Sequence, residues 1–217
     1  MPASTPVARS KSAALARVLD CLPKGYTHYM RGTVAAAKAA ALASKFHELY
    51  GIGCTPAQRI TRKNKGLANC LLVMYWSEGA ERVDWLLLAT SGKGLDLEAN
   101  NLREATDRPH LIWLGYELVR RAEQGRTAWT WRRTKDEMRE LHDLLAHQLN
   151  RHAHTETAKT LERIAHQPGF HGVREQSKRL FEFAQRRGFK GALPWLFYMR
   201  KVPHGSRMLL PTPTPKR

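Results

Sequence analysis

The residues with the clearest chemical potential in this chain are its cations. Lys and Arg number 36 against 19 Asp and Glu, which gives the 217 residues a formal net charge of +17 at pH 7. A charge excess of this size makes a compact chain repel itself and attracts polyanions. A strongly basic composition is typical of proteins that bind nucleic acid. The composition therefore predicts nucleic acid as the main partner.

The largest cationic cluster occupies the last fifty residues. Residues 168–217 contain eleven Lys or Arg and only two carboxylates, Glu175 and Glu182. The predicted order is helix, Pro-Gly turn, basic helix, then two strands around Pro203-His204-Gly205. This order is typical of a winged helix-turn-helix, in which the second helix enters a DNA groove and the hairpin contacts the backbone. The predicted contact residues are Arg174, Lys178, Arg179, Arg186 and Arg187 on the helix, with Lys201, His204 and Arg207 in the wing. The alternative is a helix with solvated charges, followed by a hairpin that pairs into the main sheet.

Two further clusters lie earlier in the chain. The segment QRITRKNKG places four cations on a predicted turn that leads into a strand, where they could contact successive phosphates. These cations are Arg59, Arg62, Lys63 and Lys65. In a predicted strand pair, two arginines at each strand end stand beside Trp129 and Trp131, a mixture that suits base stacking. These arginines are Arg120, Arg121, Arg132 and Arg133. The alternative, that the two Trp side chains belong to the core, is favoured.

Catalytic interpretations are less well supported. His28, with Tyr29 and Arg31 on the same predicted strand, could supply the acid/base group and the phosphate ligands of a metal-independent RNase. A metal-dependent nuclease would need converging carboxylates. Asp84 and Glu117 lie in predicted strands, but no acidic motif links them, and partners for neighbouring arginines explain them better. Enzymatic activity is left open, with binding favoured over catalysis.

No cofactor and no metal site is predicted. The three cysteines contain no C-x-x-C motif, and Ser91-Gly92-Lys93-Gly94 is only a fragment of a phosphate-binding loop. An odd number of cysteines suits a reducing compartment. No apolar run reaches the length of a membrane span. We therefore expect a cytoplasmic protein without a membrane partner.

The elements that must position these residues predict an α+β fold. An amphipathic helix from about Ser10 precedes the strand YTHYMRGT, and an Ala-rich helix capped by Thr33 follows. Four apolar runs in the middle of the chain predict an antiparallel sheet of about five strands, packed by the Ala-rich helix. From Thr134 the period becomes helical, and this C-terminal part is expected to end in a β-hairpin, possibly as a winged helix.

The predicted domain organisation has four parts. Residues 1–9 are expected to form a disordered tail and residues 10–150 an α+β sheet domain. Residues 151–210 are expected to form a basic helical, winged-helix-like region, and residues 211–217 a flexible tail.

The function predicted from these features is DNA binding. Possible contexts are regulation, maintenance of a plasmid or mobile element, and a subunit role in a nucleoprotein complex, which would add protein partners. The alternatives are RNA binding, with or without cleavage at His28, and a basic subunit that binds an acidic protein. DNA reading requires an exposed helix at 173–187, RNA stacking requires an exposed Trp129 or Trp131, and catalysis requires His28 or Asp84 in a cleft.

Overall fold

A computed structural model of the chain describes residues 3–98, 100–123, 126–198 and 206–210. The described residues form nine strands and six α-helices. In chain order the strands are β1 (Ser4–Ala8), β2 (His28–Ala35), β3 (Cys70–Tyr75), β4 (Arg82–Ala89), β5 (Arg103–Glu104), β6 (Ile112–Trp113), β7 (Tyr116–Glu123), β8 (Arg126–Arg133) and β9 (Ser206–Leu209). The helices are α1 (Lys11–Cys21), α2 (Ala39–Tyr50), α3 (Pro56–Asn64), α4 (Lys135–Asn150), α5 (His154–Ala165) and α6 (His171–Arg186).

The chain divides into two compact units. The first, here called the sheet unit, comprises Met1–Pro109 and Val202–Arg217, and the second, the helical unit, comprises His110–Lys201. The sheet unit has 18 Lys and Arg against nine Asp and Glu, and the helical unit has 18 against ten. Both units therefore contribute to the positive charge of the chain.

The sheet unit is built on six strands in the order β5-β2-β4-β3-β1-β9. The β1–β3 pair is parallel and the other pairs are antiparallel. In β3, the five consecutive residues from Cys70 to Met74 are all buried. Because alternate strand residues point to opposite faces, the sheet must be covered on both sides at β3.

Two helices supply this cover. On one face, Ala39, Ala43 and Phe46 of α2 pack in a cluster with Leu72 and other strand residues. The small Ala side chains allow the helix to approach the sheet closely. Helix α1 contacts β3, and its Leu15 is fully buried. High helix propensity thus favours formation of the Ala-rich helix α2, and packing against the sheet fixes its position.

The helical unit combines a three-stranded antiparallel sheet, β6-β7-β8, with α4, α5 and α6. Leu145, Leu161 and Leu180, one from each helix, share a core cluster. Helix α6 begins directly against β8, where the Gly172 amide donates to Thr130 Oγ1 at 3.1 Å. A Cβ atom on Gly172 would lie 2.6 Å from the Trp131 carbonyl oxygen, so this close approach requires glycine.

The α+β class, the largely antiparallel sheet, the Ala-rich helix on one face and a strand after the C-terminal helices are confirmed. Three local expectations are corrected. Residues 4–8 form strand β1 and not a disordered tail. Thr33 lies within β2 rather than at a helix cap, because pairing with β4 extends to Ala35 opposite Arg82. Residues 56–64 form helix α3 and not a turn.

The C-terminal strand pairs with a different partner from the one expected. Strand β9 pairs with β1, with Ser4 opposite Leu209, and so belongs to the sheet unit. Residues 194–198, expected as the first strand of the hairpin, form no strand. Residues 199–205 and the predicted flexible tail, 211–217, lie outside the described residues. Pairing into the main sheet was the alternative to the wing.

The expected boundary near residue 150 also shifts. The structure divides the chain between Pro109 and His110, because the apolar stripe of α4, Leu141, Leu145 and Leu149, packs with α5 and α6. The β7–β8 hairpin accordingly belongs to the same unit as the helices.

In the part of the chain that the structure describes, no helix is both long and apolar enough to cross a lipid bilayer.

Candidate nucleic-acid interface

Helix α6 separates apolar from cationic residues around its axis. The helical period of the sequence predicts an inward-facing stripe on this helix, and the structure confirms that its members are buried: Val173, Ser177, Leu180, Phe181 and Ala184. The predicted contact residues lie on or beside the other side. Lys178, Arg179, Arg186 and Arg187 are exposed and Arg174 is half-buried. The helix therefore presents cations outward from a fixed core.

Some of these cations have partners within the unit. Arg179 forms an i,i+4 ion pair with Glu175 at 2.6 Å, and Arg186 Nε donates to the Glu182 carbonyl at 3.3 Å. Lys178 has no hydrogen bond or ion pair to the described residues. Arg179 is thus partly neutralised, whereas Lys178 and Arg186 keep their full charge toward solvent.

The C-terminal end of α6 lies beside the C-terminal end of α4. Arg187 Nη1 donates to Asn150 Oδ1 at 3.3 Å, which brings Arg151 into the same region. Arg151, Arg186, Arg187 and Lys190 are all exposed. Cations near helix C-termini are also favoured by the helix dipole. Their presence at these two helix ends is therefore not by itself evidence of a binding surface.

The predicted cluster on the β7–β8 hairpin is largely internal. Arg133 is fully buried and donates to Gln167 Oε1 at 2.6 Å, to the Val173 and Ile164 carbonyls and to Ser177 Oγ. Burial lowers the pKa of Arg133, and the four acceptors compensate for the lost hydration. This residue holds α5, α6 and β8 together and does not belong to a surface.

The other hairpin arginines are also engaged. Arg132 Nε lies 2.9 Å from Glu117 Oε2, and Arg120 stacks over the Trp129 ring at 4.6 Å from its centroid. Trp131 is fully buried, which confirms its assignment to the core, and Trp129 is half-buried.

Arg121 is engaged through a histidine at the start of α6. Its Nη1 lies 2.7 Å from His171 Nε2. Desolvation and the neighbouring Arg121 guanidinium lower the pKa of His171, which favours the neutral ring as the acceptor.

In the sheet unit, the cluster at residues 59–65 divides into tethered and free cations. Arg62 Nη2 donates to the Ala68 carbonyl at 2.8 Å, and Arg59 is half-buried beside α1. Lys63 and Lys65 are exposed and form no ion pair with the described residues. A second loop adds Lys93, because the Lys93 amide donates to the Gly66 carbonyl at 2.9 Å.

The two loops approach each other unusually closely. The Ala68 amide donates to the Lys93 carbonyl at 3.0 Å, and a Cβ atom on Gly92 would lie 2.5 Å from the Ala68 nitrogen. We call Lys63, Lys65 and Lys93 the lysine junction. The sequence did not indicate Lys93 as a contact residue, because its backbone pairing is with Gly66 and Ala68, which are too far away in sequence to leave a local signal.

The proposed catalytic trio is not assembled. His28 lines an open cavity of about 210 Å³ with Ser91, Asp96 and other residues, whereas Tyr29 and Arg31 point to the opposite face of β2. Tyr29 is buried, and desolvation raises its pKa. A histidine in a cavity is present, but the phosphate ligand and the tyrosine do not accompany it.

The candidate carboxylates of a metal-dependent nuclease have structural roles. Asp84 Oδ1 accepts from Thr33 Oγ1 at 3.0 Å, and Glu117 pairs with Arg132. The described residues contain no group of three or more His, Cys, Asp or Glu that could hold a metal ion.

Of the three predicted wing residues, only Arg207 is among the described residues, and it belongs to the sheet unit rather than to the helical unit that contains α6. Arg207 lies on β9 in the sheet unit, where its Nε donates to Ser4 Oγ at 2.8 Å and its Nη2 to the Ser4 carbonyl. Lys201 and His204 lie outside the described residues. Arg207 therefore holds β9 to β1. Within the described residues, the strand expected in the wing belongs to the main sheet.

One group of exposed residues was not identified from the sequence. Trp195, Phe197 and Tyr198 are among the most exposed large apolar side chains in the described chain. The sequence PWLFYMRKV was interpreted as a strand, and its aromatic residues were not singled out as a surface. Comparisons of the chain with protein-family models, with curated proteins and with solved structures find no match.

Proposed function

We propose that this protein binds nucleic acid, with DNA favoured over RNA, through exposed cations of the helical unit and the lysine junction of the sheet unit. The observation that carries the proposal is the outward surface of α6. Its inner stripe is fixed in the core, and Lys178, Arg186 and Arg187 face solvent without a carboxylate partner among the described residues. Uncompensated cations on a rigid element are suited to phosphate contacts.

The dimensions of α6 favour duplex DNA as a partner. Its 16 residues span about 24 Å at 1.5 Å per residue, and the major groove of B-DNA admits an α-helix. The contexts that this activity would suit are regulation, plasmid or mobile-element maintenance, and a nucleoprotein complex. RNA binding is the alternative within the same chemistry.

The lysine junction would add a second set of phosphate contacts. Lys63 lies at the end of α3, and Lys65 and Lys93 lie in two loops that backbone hydrogen bonds join. Such a group of cations can follow a phosphate backbone without reading its sequence. This contribution is non-specific, and it increases the dependence of affinity on salt concentration.

Charge reversal tests the proposal. We expect Lys178→Glu, Arg186→Glu and Arg187→Glu together to weaken duplex DNA binding by more than about tenfold, and each lost phosphate contact to reduce the salt slope by roughly 0.9. The measurement is fluorescence anisotropy across a salt series, with duplex DNA, single-stranded DNA and structured RNA of equal length.

The matched control reverses three exposed lysines elsewhere, Lys24, Lys38 and Lys45. This variant has the same net charge as the first. Equal losses in both variants would contradict the location of the interface on α6. If the wild-type protein binds none of the three polymers at moderate salt, the proposed function is refuted, and an acidic protein partner becomes the better hypothesis.

A further inference from the structure

A segment of the helical unit presents three aromatic side chains to solvent. Trp195 is 89% exposed, Tyr198 72% and Phe197 57%. Residues 193–198, which we call the aromatic strap, form neither helix nor strand. Leu193 and Leu196 of the strap pack against the core cluster of α4, α5 and α6. The strap is therefore anchored by its leucines, and its aromatic rings face outward.

Cationic and polar groups of the helices stand directly beside two of these rings, those of Tyr198 and Phe197. The Arg174 guanidinium carbon lies 3.5 Å from the centroid of the Tyr198 ring, and the ring centroids of His166 and Phe197 are 5.5 Å apart. Arg174 covers one face of Tyr198. Since Tyr198 is still 72% exposed, the other face of its ring is open to solvent.

Helix α6 extends this arrangement toward the proposed phosphate-binding surface. Lys178 follows Arg174 at i+4, so both project from the same side of the helix. Lys178 is exposed and has no ion-pair partner among the described residues. Open aromatic faces thus adjoin a row of cations on one unit.

Exposed aromatic residues of this number need an explanation, because large apolar side chains in water indicate a binding surface. The accompanying cations restrict the partner to one that offers both flat apolar faces and negative charge. Unpaired bases stack on aromatic rings while cations hold the backbone. A duplex hides its base faces, and a neutral apolar peptide would not require Arg174 or Lys178.

We propose that the aromatic strap binds single-stranded nucleic acid, with unpaired bases stacked on Trp195, Phe197 and Tyr198 and phosphates held by Arg174 and Lys178. This inference rests on the proposed nucleic-acid binding and concerns a single-stranded segment at the strap, next to the surface of α6 that is proposed to contact duplex DNA. Single-stranded DNA and RNA share the required chemistry, and the experiment below distinguishes them.

The test compares the full-length wild-type protein with the variant Trp195→Ala, Phe197→Ala and Tyr198→Ala. The probes are labelled oligodeoxythymidine and oligouridine of about 16 nucleotides and a duplex of the same length. We expect the variant to lose more than about tenfold in affinity for a single strand, with duplex affinity changed less than about threefold. The relative losses for the two single strands show whether DNA or RNA is preferred.

Two controls separate stacking from general effects. Leu97→Ala removes another exposed apolar side chain, 76% exposed, from the sheet unit, and should leave all affinities unchanged. A base stacked on Trp195 should quench its fluorescence in the wild-type protein. Trp195→Phe preserves an aromatic face and should retain most of the affinity, but it should abolish this quenching. Because all three strap side chains are exposed, thermal unfolding of the triple variant should match the wild type.

The outcomes distinguish this inference from the proposed function. Unchanged single-strand affinity in the triple variant, or wild-type binding to duplex but not to single strands, refutes the stacking surface and leaves the proposed function intact. Equal losses for duplex and single strands also refute the single-strand assignment. If the wild-type protein binds none of the probes, both proposals fail.

Discussion

Arg132 and Arg133 are adjacent in sequence, but they lie on opposite faces of β8 and have different surroundings. Arg132 is partly exposed and forms one ion pair with Glu117. Arg133 is fully buried and donates hydrogen bonds to four acceptors on α5, α6 and the loop between them. Two residues of the same type therefore have separate roles, one at the surface and one in the core.

We expect Arg133→Ala to destabilise the helical unit by about 3 kcal/mol or more, because its acceptors would stay buried without donors. Arg132→Ala should cost less than about 1 kcal/mol, as for other partly exposed ion pairs. Hydrogen exchange of the α5 and α6 amides as a function of denaturant measures both. Similar losses in the two variants would contradict the structural role of Arg133.

The burial of His47 should make the stability of the sheet unit depend on pH. The ring is buried, its Nδ1 accepts from the Gly53 amide at 3.2 Å, and its Nε2 has no hydrogen-bond partner among the described residues. Desolvation lowers the pKa of His47 from its ordinary value of 6.5, against a smaller opposing effect of Glu48. Between pH 6.5 and this lowered pKa, the folded protein therefore binds fewer protons than the unfolded chain.

The contribution of His47 should be fully present above pH 6.5 and should be lost as the pH falls toward the lowered pKa of the folded state. His47→Gln removes the titrating group and keeps an acceptor for Gly53. We expect urea unfolding of this variant to show a flatter pH dependence between pH 7 and pH 5. Parallel pH profiles for the variant and the wild type would show that His47 is not responsible.

At the scale of elements, α3 is held in an unusual way, because none of its residues is buried. A capping box fixes its start: Thr55 Oγ1 accepts from the Gln58 amide, and Gln58 Oε1 accepts from the Thr55 amide. Arg62 and Asn69 join its other end to the chain that follows. The helix that positions Lys63 thus depends on polar contacts rather than on apolar burial.

Thr55→Ala should therefore open α3 locally without unfolding the sheet unit. Loss of a cap costs about 1 kcal/mol, which corresponds to about fivefold faster hydrogen exchange of the α3 amides. Thr61→Ala, in the same exposed helix, is the control and should have little effect, since alanine is the better helix former. A fall in global stability equal to the local change would contradict this description.

At the scale of the whole molecule, the chain leaves the sheet unit, forms the helical unit and then returns. Strand β9 pairs with β1, and the Leu210 amide donates to the Ala3 carbonyl at 2.8 Å. Leu210 is 6% exposed and belongs to the core cluster of the sheet unit. Both ends of the described chain therefore complete one sheet.

Leu210→Ala should destabilise the sheet unit by about 2 to 4 kcal/mol, because it removes a buried side chain from this core. Leu209→Ala is a matched control, since the neighbouring side chain is 69% exposed, and should change stability by less than about 0.5 kcal/mol. Chemical unfolding with hydrogen exchange of β1 and β3 gives both values. Equal effects would show that β9 does not hold its place in the sheet.

Several features of the fold could be predicted from local sequence. The continuous apolar runs of β3 and β4 indicated buried strands, and the inward stripe of α6 was evident from its helical period. The start of a helical period at Thr134 was also correct, since Thr134 is the N-cap of α4 and its Oγ1 accepts from the Glu137 amide. These predictions succeeded because burial and capping act between residues close in sequence.

The sequence by itself determined the excess positive charge, the α+β class and most of the helices, since composition, period and capping are local properties. Only the tertiary structure decided which cations face solvent. It placed Arg133 in the core, brought Lys93 beside Lys65, moved β9 to the edge of the first sheet and left the rings of the aromatic strap open. Each of these outcomes depends on contacts between residues far apart in the chain, where packing overrides local preference.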